Sequence, residues 1–209
     1  EESARCLREI VRLKLLLSEE KSALPLLKKS LQIEQRSKNL KGEAETLSLL
    51  TIVLTRLNQN AESGTYHSKA LQKALQSKNP KQMAVAFAAS GLYYYGQRDF
   101  KTMLEQQEKA LKLFQEIGDT KSEAEILIDL AYSYTINNDR IRGRDTALKA
   151  LEISKNSENL RCHALSLIAL GDAYQRMGES ENALKTLLEA QKLFVPDLDL
   201  FEKAVLYNR

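Results

Sequence analysis

Apolar residues along the chain recur at the spacing of amphipathic helices. Between residues 160 and 195 they form two groups, and within each group the spacing of three or four residues places the side chains on one helix face. The first group is Leu167, Leu170, Tyr174 and Met177, and the second is Ala183, Leu187, Ala190 and Phe194. Between the groups, Gly178 and Ser180 are residues that typically end one helix and start the next. The pattern predicts a helix–turn–helix pair.

The same pattern returns every 40 residues along the whole chain. One register position holds Ala4, Ala44, Ala84, Ala124, Ala164 and Ala204, and a second holds Ser30, Ala70, Ala110, Ala150 and Ala190. A single helix pair cannot bury its apolar face, so such pairs become stable by stacking on one another. The sequence therefore predicts an all-α fold of eleven helices without a strand, in an α/α right-handed superhelical solenoid of helix–turn–helix repeats.

Residues that typically start a helix can also be recognised between the repeats. Asn79 before Pro80 fits an N-cap and a first-turn proline, and Thr120 with Glu123 has the form of a capping box. The predicted repeats are 1–40, 41–80, 81–120, 121–160 and 161–198, followed by a partial sixth at 199–209, all within one domain over 1–209. We expect the chain to end inside a repeat, so that its exposed last helix allows self-association.

The signature residues of the fifth repeat resemble those of a known family. Leu170-Gly171-x-x-Tyr174, followed by Ala183 and Ala190, is similar in order and spacing to the tetratricopeptide signature. The 40-residue unit is longer than the usual length of about 34, as in Leu-Gly-Asn-repeat adaptors and in bacterial Rap-type or sensor-arm domains. The resemblance implies a helical solenoid that binds a protein or peptide.

The first helices of the repeats are expected to line a concave groove. The candidate partner-binding residues in that groove are Thr55, Arg56, Leu92, Tyr95, Glu125, Asp129, Tyr132, Asp172, Gln175 and Arg176. Tyr95 and Tyr132 are the candidate anchors, because amphipathic aromatic residues are common at interfaces. Ordinary packing between repeats is the alternative role for both tyrosines.

Composition and charge exclude several classes of partner. The chain has 31 basic and 28 acidic residues and a net charge of +3, whereas binding nucleic acid through phosphates needs a concentrated basic face. No apolar run approaches the roughly 20 residues of a membrane-spanning helix. The two cysteines, Cys6 and Cys162, are far apart and are expected to be reduced thiols in a cytoplasmic protein. We therefore expect neither direct nucleic-acid binding nor membrane insertion.

The sequence contains no motif of an enzyme or of a metal site. A phosphate-binding glycine loop, a zinc-binding His-Glu-x-x-His pair and a nucleophile elbow are all missing. His67 and His163 have no partner at ligand spacing, so we predict no catalytic residue, no metal and no cofactor. Arg140, Arg142 and Arg144 could bind a phosphate or an acidic segment, or could form a solvated face with nearby aspartates.

Two functions remain open. In the first, the chain is a scaffold-like interaction module that docks a peptide or helix in its groove. In the second, it is the sensory or regulatory arm of a larger signalling protein, such as a cyclase, kinase or transcription regulator, whose effector domain lies elsewhere.

Overall fold

In a computed structural model, residues 2–155 and 159–193 are described, and all regular structure among them is helical. The ten helices found there are α1 (Glu2–Leu16), α2 (Glu20–Ser37), α3 (Leu40–Arg56), α4 (Asn60–Ser77), α5 (Pro80–Gly96), α6 (Phe100–Glu116), α7 (Thr120–Ile136), α8 (Arg140–Lys155), α9 (Leu160–Met177) and α10 (Ser180–Lys192). They follow as five helix pairs, so the all-α prediction is confirmed. The predicted eleventh helix, at 199–209, lies outside the described residues.

Four of the five first helices begin at an N-cap that recurs every 40 residues. These caps are Asn39, Asn79, Asp119 and Asn159. Each side-chain oxygen accepts a hydrogen bond of 3.1–3.2 Å from the backbone N–H three residues on, which satisfies a donor that the helix itself leaves free. The predicted cap at Asn79 is confirmed. The predicted N-cap at Thr120 is wrong by one residue: α7 begins at Thr120, and its cap is Asp119, which accepts the N–H of Ser122.

The turns also repeat, and eight of them each contain one residue of left-handed backbone. Within the helix pairs these residues are Ser18, Asn58, Arg98, Asn138 and Gly178, and between pairs they are Lys38, Lys78 and Gly118. A left-handed residue ends a helix sharply and lets the next helix start within about two or three residues. Successive helices therefore run antiparallel.

The helices group into two compact units, unit 1 (Glu1–Leu113) and unit 2 (Phe114–Arg209), and the division falls inside α6. In unit 1, α3 is central and packs against α1, α2, α4 and α5. The main core of unit 1 consists of Val11, Ala23, Leu27, Leu47, Leu49, Leu50, Val53 and Ala70. Beside this core, Arg8 of α1 forms a buried ion pair with Glu34 of α2. The single domain over 1–209 stays a prediction.

In unit 2, α9 packs against α7, α8 and α10. Leu167, Ile168 and Ala190 form its apolar cluster. Close approach of α7 and α8 depends on Gly143, where an added Cβ would clash with the hydroxyl of Thr135.

The central first helix of each unit, α3 or α9, is buried over more of its circumference than a neighbouring second helix. In unit 1, α3 buries twelve residues and α4 only four. In unit 2, α9 buries ten and α8 four. The second helices are thus covered along one stripe, with the rest facing solvent. Only a narrow strip of each central first helix remains for a ligand.

Candidate protein-binding faces of the first helices

Three predicted contact residues of unit 1 lie toward the C-terminal ends of α3 and α5. These two ends meet closely, because Gly96 has no side chain and an added Cβ would lie 2.9 Å from Cγ2 of Thr55. Arg56 and Tyr95 follow and precede these two residues in sequence, and Leu92 lies one turn before Gly96. We call Arg56, Leu92 and Tyr95 the unit 1 face.

Arg56 has only long contacts with its neighbours. Its NH1 atom is 3.5 Å from the carbonyl oxygen of Leu15 and 3.4 Å from Oε1 of Glu20. Charge-assisted hydrogen bonds between guanidinium and carboxylate groups are typically about 2.7–2.9 Å. The guanidinium is also exposed, so it can form a shorter pair with a carboxylate that approaches from solvent.

Tyr95 is the most prominent apolar side chain of the unit 1 face. It is 49% exposed, and its ring centroid lies 6.3 Å from that of Phe100 at a tilt of 55°. Leu92, one turn earlier on α5, is half-buried. A large aromatic ring held by a neighbouring ring and flanked by an aliphatic residue has the character of an interface anchor.

Thr55 does not belong to the unit 1 face, which corrects its assignment from the sequence. Its side chain is buried, and Oγ1 lies 2.7 Å from Oγ of Ser63 on α4. Oγ of Ser63 also donates to the carbonyl oxygen of Thr51. Both hydroxyls therefore hold α3 and α4 together and are not available to a ligand.

In unit 2, the predicted contact residues that are exposed to solvent are polar. Glu125 and Asp129 on α7 and Gln175 and Arg176 on α9 are all exposed. We call these four residues the unit 2 face. Its two carboxylates would favour a partner that carries basic side chains.

Asp172 lies beneath the unit 2 face, which corrects the expectation that it faces a ligand directly. The side chain is buried, and its Oδ2 atom accepts a 3.2 Å hydrogen bond from Nε of Arg176. The two residues are four apart on α9, the spacing at which side chains meet on a helix surface. Asp172 therefore orients Arg176 instead of presenting its own carboxylate.

Tyr132 is half-buried and packs against the apolar cluster of unit 2. The buried members of that cluster are Leu167, Ile168 and Ala190. The packing role that the sequence left open for this tyrosine is therefore present. Any contact with a partner would use the edge of its ring that remains exposed.

Two residues next to these faces were missed in the sequence. Phe100 supports Tyr95 from the following helix, and Ile136 ends α7 with an exposed side chain. Ile136 occupies the same register as Arg56 and Arg176, so the 40-residue period was the signal that could have identified it. Phe100 gave no such signal, because its contact depends on the geometry of the intervening turn.

The clustered arginines of α8 are largely engaged with neighbouring side chains. Nε of Arg142 donates to Oδ2 of Asp139 at 2.5 Å, and the Arg142 guanidinium lies 4.7 Å from the ring centroid of Tyr134. This hydrogen bond holds the pKa of the Asp139 carboxyl below its usual value. Arg144 bonds to Asp145. This arrangement fits the solvated, paired face that was one of the two sequence interpretations.

The remaining side chains that could take part in catalysis, those of His67 and Cys162, are buried in the helix packing. Nε2 of His67 is 2.9 Å from Oγ of Ser90, its ring stacks on Tyr93 with centroids 4.5 Å apart, and burial lowers its pKa. Burial raises the pKa of the Cys162 thiol.

Within 2–155 and 159–193, no group of three or more His, Cys, Asp or Glu side chains could hold a metal ion. No helix in these ranges is long and apolar enough to cross a membrane.

Comparisons with known proteins identify the fold. No protein-family model and no curated protein matches the chain. A signal-transduction ATPase of the STAND class from Pyrococcus horikoshii, with a tetratricopeptide repeat sensor, superimposes with a TM-score of 0.75 at 17% identity, over 99% of this chain and 30% of its own. A kinesin light chain-like protein from Podosopora anserina, with TPR-like repeats, gives 0.68 at 14% identity, over 92% and 96%.

A Rap protein in complex with competence and sporulation factor is also similar, with a TM-score of 0.68 at 12% identity. The match covers all of this chain and 66% of the Rap chain. Identities this low show the fold alone. The chain is thus an all-α solenoid of tetratricopeptide-type repeats, and the resemblance seen in the signature residues is confirmed at the level of the fold.

Proposed function

We propose that this chain is a non-catalytic interaction module that docks a peptide or helical segment of another protein on the exposed strip of its first helices. The observation that carries the proposal is the chemistry of the unit 1 face. There, near the C-terminal ends of two adjacent first helices, the ring of Tyr95 is exposed and the guanidinium of Arg56 is weakly paired. Tyrosine and arginine are among the residue types that contribute most to protein interfaces.

The chemistry of the two faces favours a protein partner over nucleic acid or membrane. The unit 1 face offers apolar surface and one cation, and the unit 2 face offers two carboxylates, one amide and one guanidinium. Neither face is a concentrated basic surface of the kind that binds phosphate backbones. A cytoplasmic location is part of the proposal, since both cysteines are free thiols. The predicted self-association through 199–209 concerns residues outside the described ranges.

Affinity capture with face variants tests the proposal. The 209-residue protein, a double variant of the unit 1 face (Arg56→Glu with Tyr95→Ala) and a control (Leu75→Ala, an exposed leucine on α4) are immobilised in parallel. We expect the wild type and the control to retain the same partner and the face variant to lose it. Binding of the purified partner is then measured by calorimetry.

The proposal is contradicted if a purified partner binds the unit 1 variant and a unit 2 variant (Asp129→Lys with Arg176→Glu) as tightly as it binds the wild type. Circular dichroism and thermal melting of each variant show that lost binding does not reflect lost folding. Exposed substitutions usually change stability by no more than about 0.5 kcal/mol.

The second candidate function is a sensory arm of a larger signalling protein. It is favoured by the similarity to the STAND ATPase, whose tetratricopeptide repeats form a sensor and of which this chain covers 30%. The coding sequence on either side of this chain distinguishes the two functions. An effector domain in the same reading frame would support the sensory arm, and its absence would leave the independent module.

A further inference from the structure

Tyr95 is exposed at a position of the repeat that is buried in two other helix pairs. The residues 40 positions before and after it, Thr55 and Thr135, are 7% and 3% exposed, whereas Tyr95 is 49% exposed. All three lie in the last turn of a first helix. We call this register position the last-turn position. The exposure of the Tyr95 ring is therefore not dictated by its place in the repeat.

Each buried threonine lies against a small residue of the second helix in the same pair. Oγ1 of Thr55 is 2.7 Å from Oγ of Ser63 on α4. A Cβ added to Gly143 on α8 would lie 2.2 Å from Oγ1 of Thr135. Ser63 and Gly143 share one register position, which we call the facing position. The last-turn and facing positions are thus close neighbours in both pairs.

The third helix pair differs at the facing position, which holds Met103. In the other four pairs this position is occupied by small residues, namely Ala23, Ser63, Gly143 and Ala183. Met103 is only 1% exposed, so its long side chain lies inside the helix packing. Because protein interiors are close-packed, a methionine buried at the facing position fills the space into which the residue at the last-turn position would otherwise pack.

The first helix pair shows what an apolar residue does beside a small facing residue. Leu15 holds the last-turn position there and is half-buried. It packs against the main core of unit 1, which includes the facing residue Ala23. In the fifth pair Gln175 is exposed although Ala183 is small, but an amide side chain is usually found in water. An apolar side chain therefore packs inward beside alanine and stays outside beside methionine.

A second side chain of the same helix face borders the Tyr95 ring. Phe100 lies three residues before Met103 on α6, a spacing that places both side chains on one face of the helix. The ring centroids of Tyr95 and Phe100 are 6.3 Å apart, with a tilt of 55° between the rings. The start of α6 thus presents to Tyr95 a face that carries two large apolar side chains.

We propose that Met103 is a positioning residue for the unit 1 face: its buried side chain fills the space beneath the last-turn position and holds the ring of Tyr95 at the surface. This inference rests on the proposed docking at the unit 1 face, because it names the residue that makes the aromatic anchor available to a partner. A small residue at position 103, as in the other helix pairs, would let the ring pack inward and would remove most of the apolar surface of the face.

Nitration of tyrosine rings by tetranitromethane tests the proposal without a partner. Tandem mass spectrometry of the digested protein gives the initial rate at each tyrosine. In Met103→Ala the rate at Tyr95 should fall by about twofold or more, because the ring moves into the space that the truncation opens. A merely structural role of Met103 would have the opposite effect, since loosened packing would raise the rates at Tyr93, Tyr94 and Tyr95 together.

Two further substitutions at position 103 and one control make the test specific. Met103→Leu keeps a similar volume and should retain the wild-type rate at Tyr95, and Met103→Val should give a smaller decrease than Met103→Ala. Met83→Ala truncates a half-buried methionine near the start of α5, in a separate cluster, and should leave the rate unchanged. An unchanged or raised rate in Met103→Ala, or an equal fall in Met83→Ala, overturns the proposal. If Met103→Ala lacks the circular dichroism spectrum of the wild type, the comparison of Met103→Val with Met103→Leu decides the question.

The same measurements separate this inference from the proposed function. If nitration of Tyr95 falls in Met103→Ala but Tyr95→Ala still captures the partner, Met103 positions the ring and the partner docks elsewhere. If Tyr95→Ala loses the partner but Met103→Ala leaves the nitration rate unchanged, docking at the unit 1 face stands and the role of Met103 is wrong.

Discussion

Units 1 and 2 use different chemistry at the same register positions. In unit 1, the buried Arg8 and Glu34 and the half-buried Glu45 form an ionic cluster in which Arg8 pairs with both carboxylates, at 3.3 Å to Glu45. The positions 120 residues further on in unit 2 hold Ile128, Ser154 and Leu165, which are buried or half-buried. The same helix packing therefore accepts either a charged or an uncharged set of side chains.

The comparison teaches that a buried ion pair is not required by the fold. Removing two charges from water costs several kcal/mol per ion, and their mutual attraction often does no more than offset this cost. The ionic cluster makes unit 1 sensitive to the loss of one member, because the remaining charge would stay buried without a partner. Unit 2 has no such sensitivity at these positions.

The largest expected effect is that of Glu34→Ala. This substitution leaves the buried guanidinium of Arg8 with only the longer contact to Glu45, and breaking a buried pair costs about 3–5 kcal/mol. Urea unfolding followed by circular dichroism measures the change in the free energy of unfolding.

A transplant from unit 2 provides the matched control. The triple variant Arg8→Ile, Glu34→Ser, Glu45→Leu reproduces the side chains of unit 2 and should lie within about 1 kcal/mol of the wild type or be more stable. It deprives Arg12 of its 2.5 Å contact with Glu45, but Arg12 is partly exposed, so solvent limits this loss. A triple variant less stable than Glu34→Ala would contradict the argument.

The two faces offer the next comparison, in partner binding. If the ligand is held mainly by the unit 1 face, Tyr95→Ala should weaken binding by about 2 kcal/mol or more, as expected for an anchor residue. Asp129→Lys, an exposed change in the unit 2 face, should then have a much smaller effect. The reverse order in calorimetric titrations would assign the main anchor to unit 2. Tyr132→Ala is a poorer probe, because the packing of Tyr132 against the apolar cluster of unit 2 adds a loss of stability to any loss of binding.

Small side chains set the helix spacing, so enlarging one should destabilise the fold. Ala150 on α8 is fully buried, and Ala150→Leu should cost about 1–3 kcal/mol through overpacking. The neighbouring Lys149 is exposed, and Lys149→Leu should change stability by no more than about 0.5 kcal/mol. Thermal melting of both variants tests this pair, and equal changes would show that α8 is not closely packed at Ala150.

The repeat pattern in the sequence was sufficient for the helices but not for the depth of individual side chains. Asn79 and Pro80 located the start of α5 correctly, because capping is a local interaction. Thr55 and Asp172 were placed on the correct helices, but both are buried and form hydrogen bonds with Ser63 and Arg176. The position of a residue in the repeat predicts the direction of its side chain. It does not predict how deeply the neighbouring side chains bury it.

The Arg8–Glu34 ion pair could not be predicted from the sequence. The two residues are 26 apart on different helices, and charged side chains are expected at the surface unless paired. The pattern therefore gives no reason to bury them. The pair is accommodated by the close packing of α2 on α3, where Gly42 leaves room for the Glu34 carboxylate.

The units also differ in a group that titrates near neutral pH. His67 in unit 1 and Ala147 in unit 2 occupy the same register, and both are buried. Burial lowers the pKa of His67 below 6.5, and its ring contacts Ser90, Tyr93 and Tyr94, which are uncharged at these pH values. Below pH 6.5 the unfolded chain takes up a proton before the folded chain does, so stability is present above that pH and declines as the pH falls toward the folded pKa.

His67→Leu, which copies Leu27 at the same register in the first repeat, tests this pH dependence. The loss of unfolding free energy between about pH 7.5 and pH 5.5 should be smaller in the variant than in the wild type, because the titrating group is gone. His163 remains in both proteins as a common background. Identical pH profiles would show that protonation of His67 does not affect folding.

The smallest expected effect concerns the turns. Arg98 in unit 1 has a φ of 59°, and the same register position in unit 2 is Gly178, with a φ of 83°. A left-handed backbone costs a residue with a Cβ about 1–2 kcal/mol, and glycine offsets part of this gain by losing more backbone entropy on folding. Arg98→Gly should therefore stabilise the protein by about 0.5–1 kcal/mol, and Gly178→Arg should destabilise it by a similar amount. Chemical denaturation of the two variants measures both changes, and opposite signs are the essential result. If both substitutions destabilise, Arg98 makes contacts that outweigh its backbone strain, and the two turns are not equivalent despite their shared register.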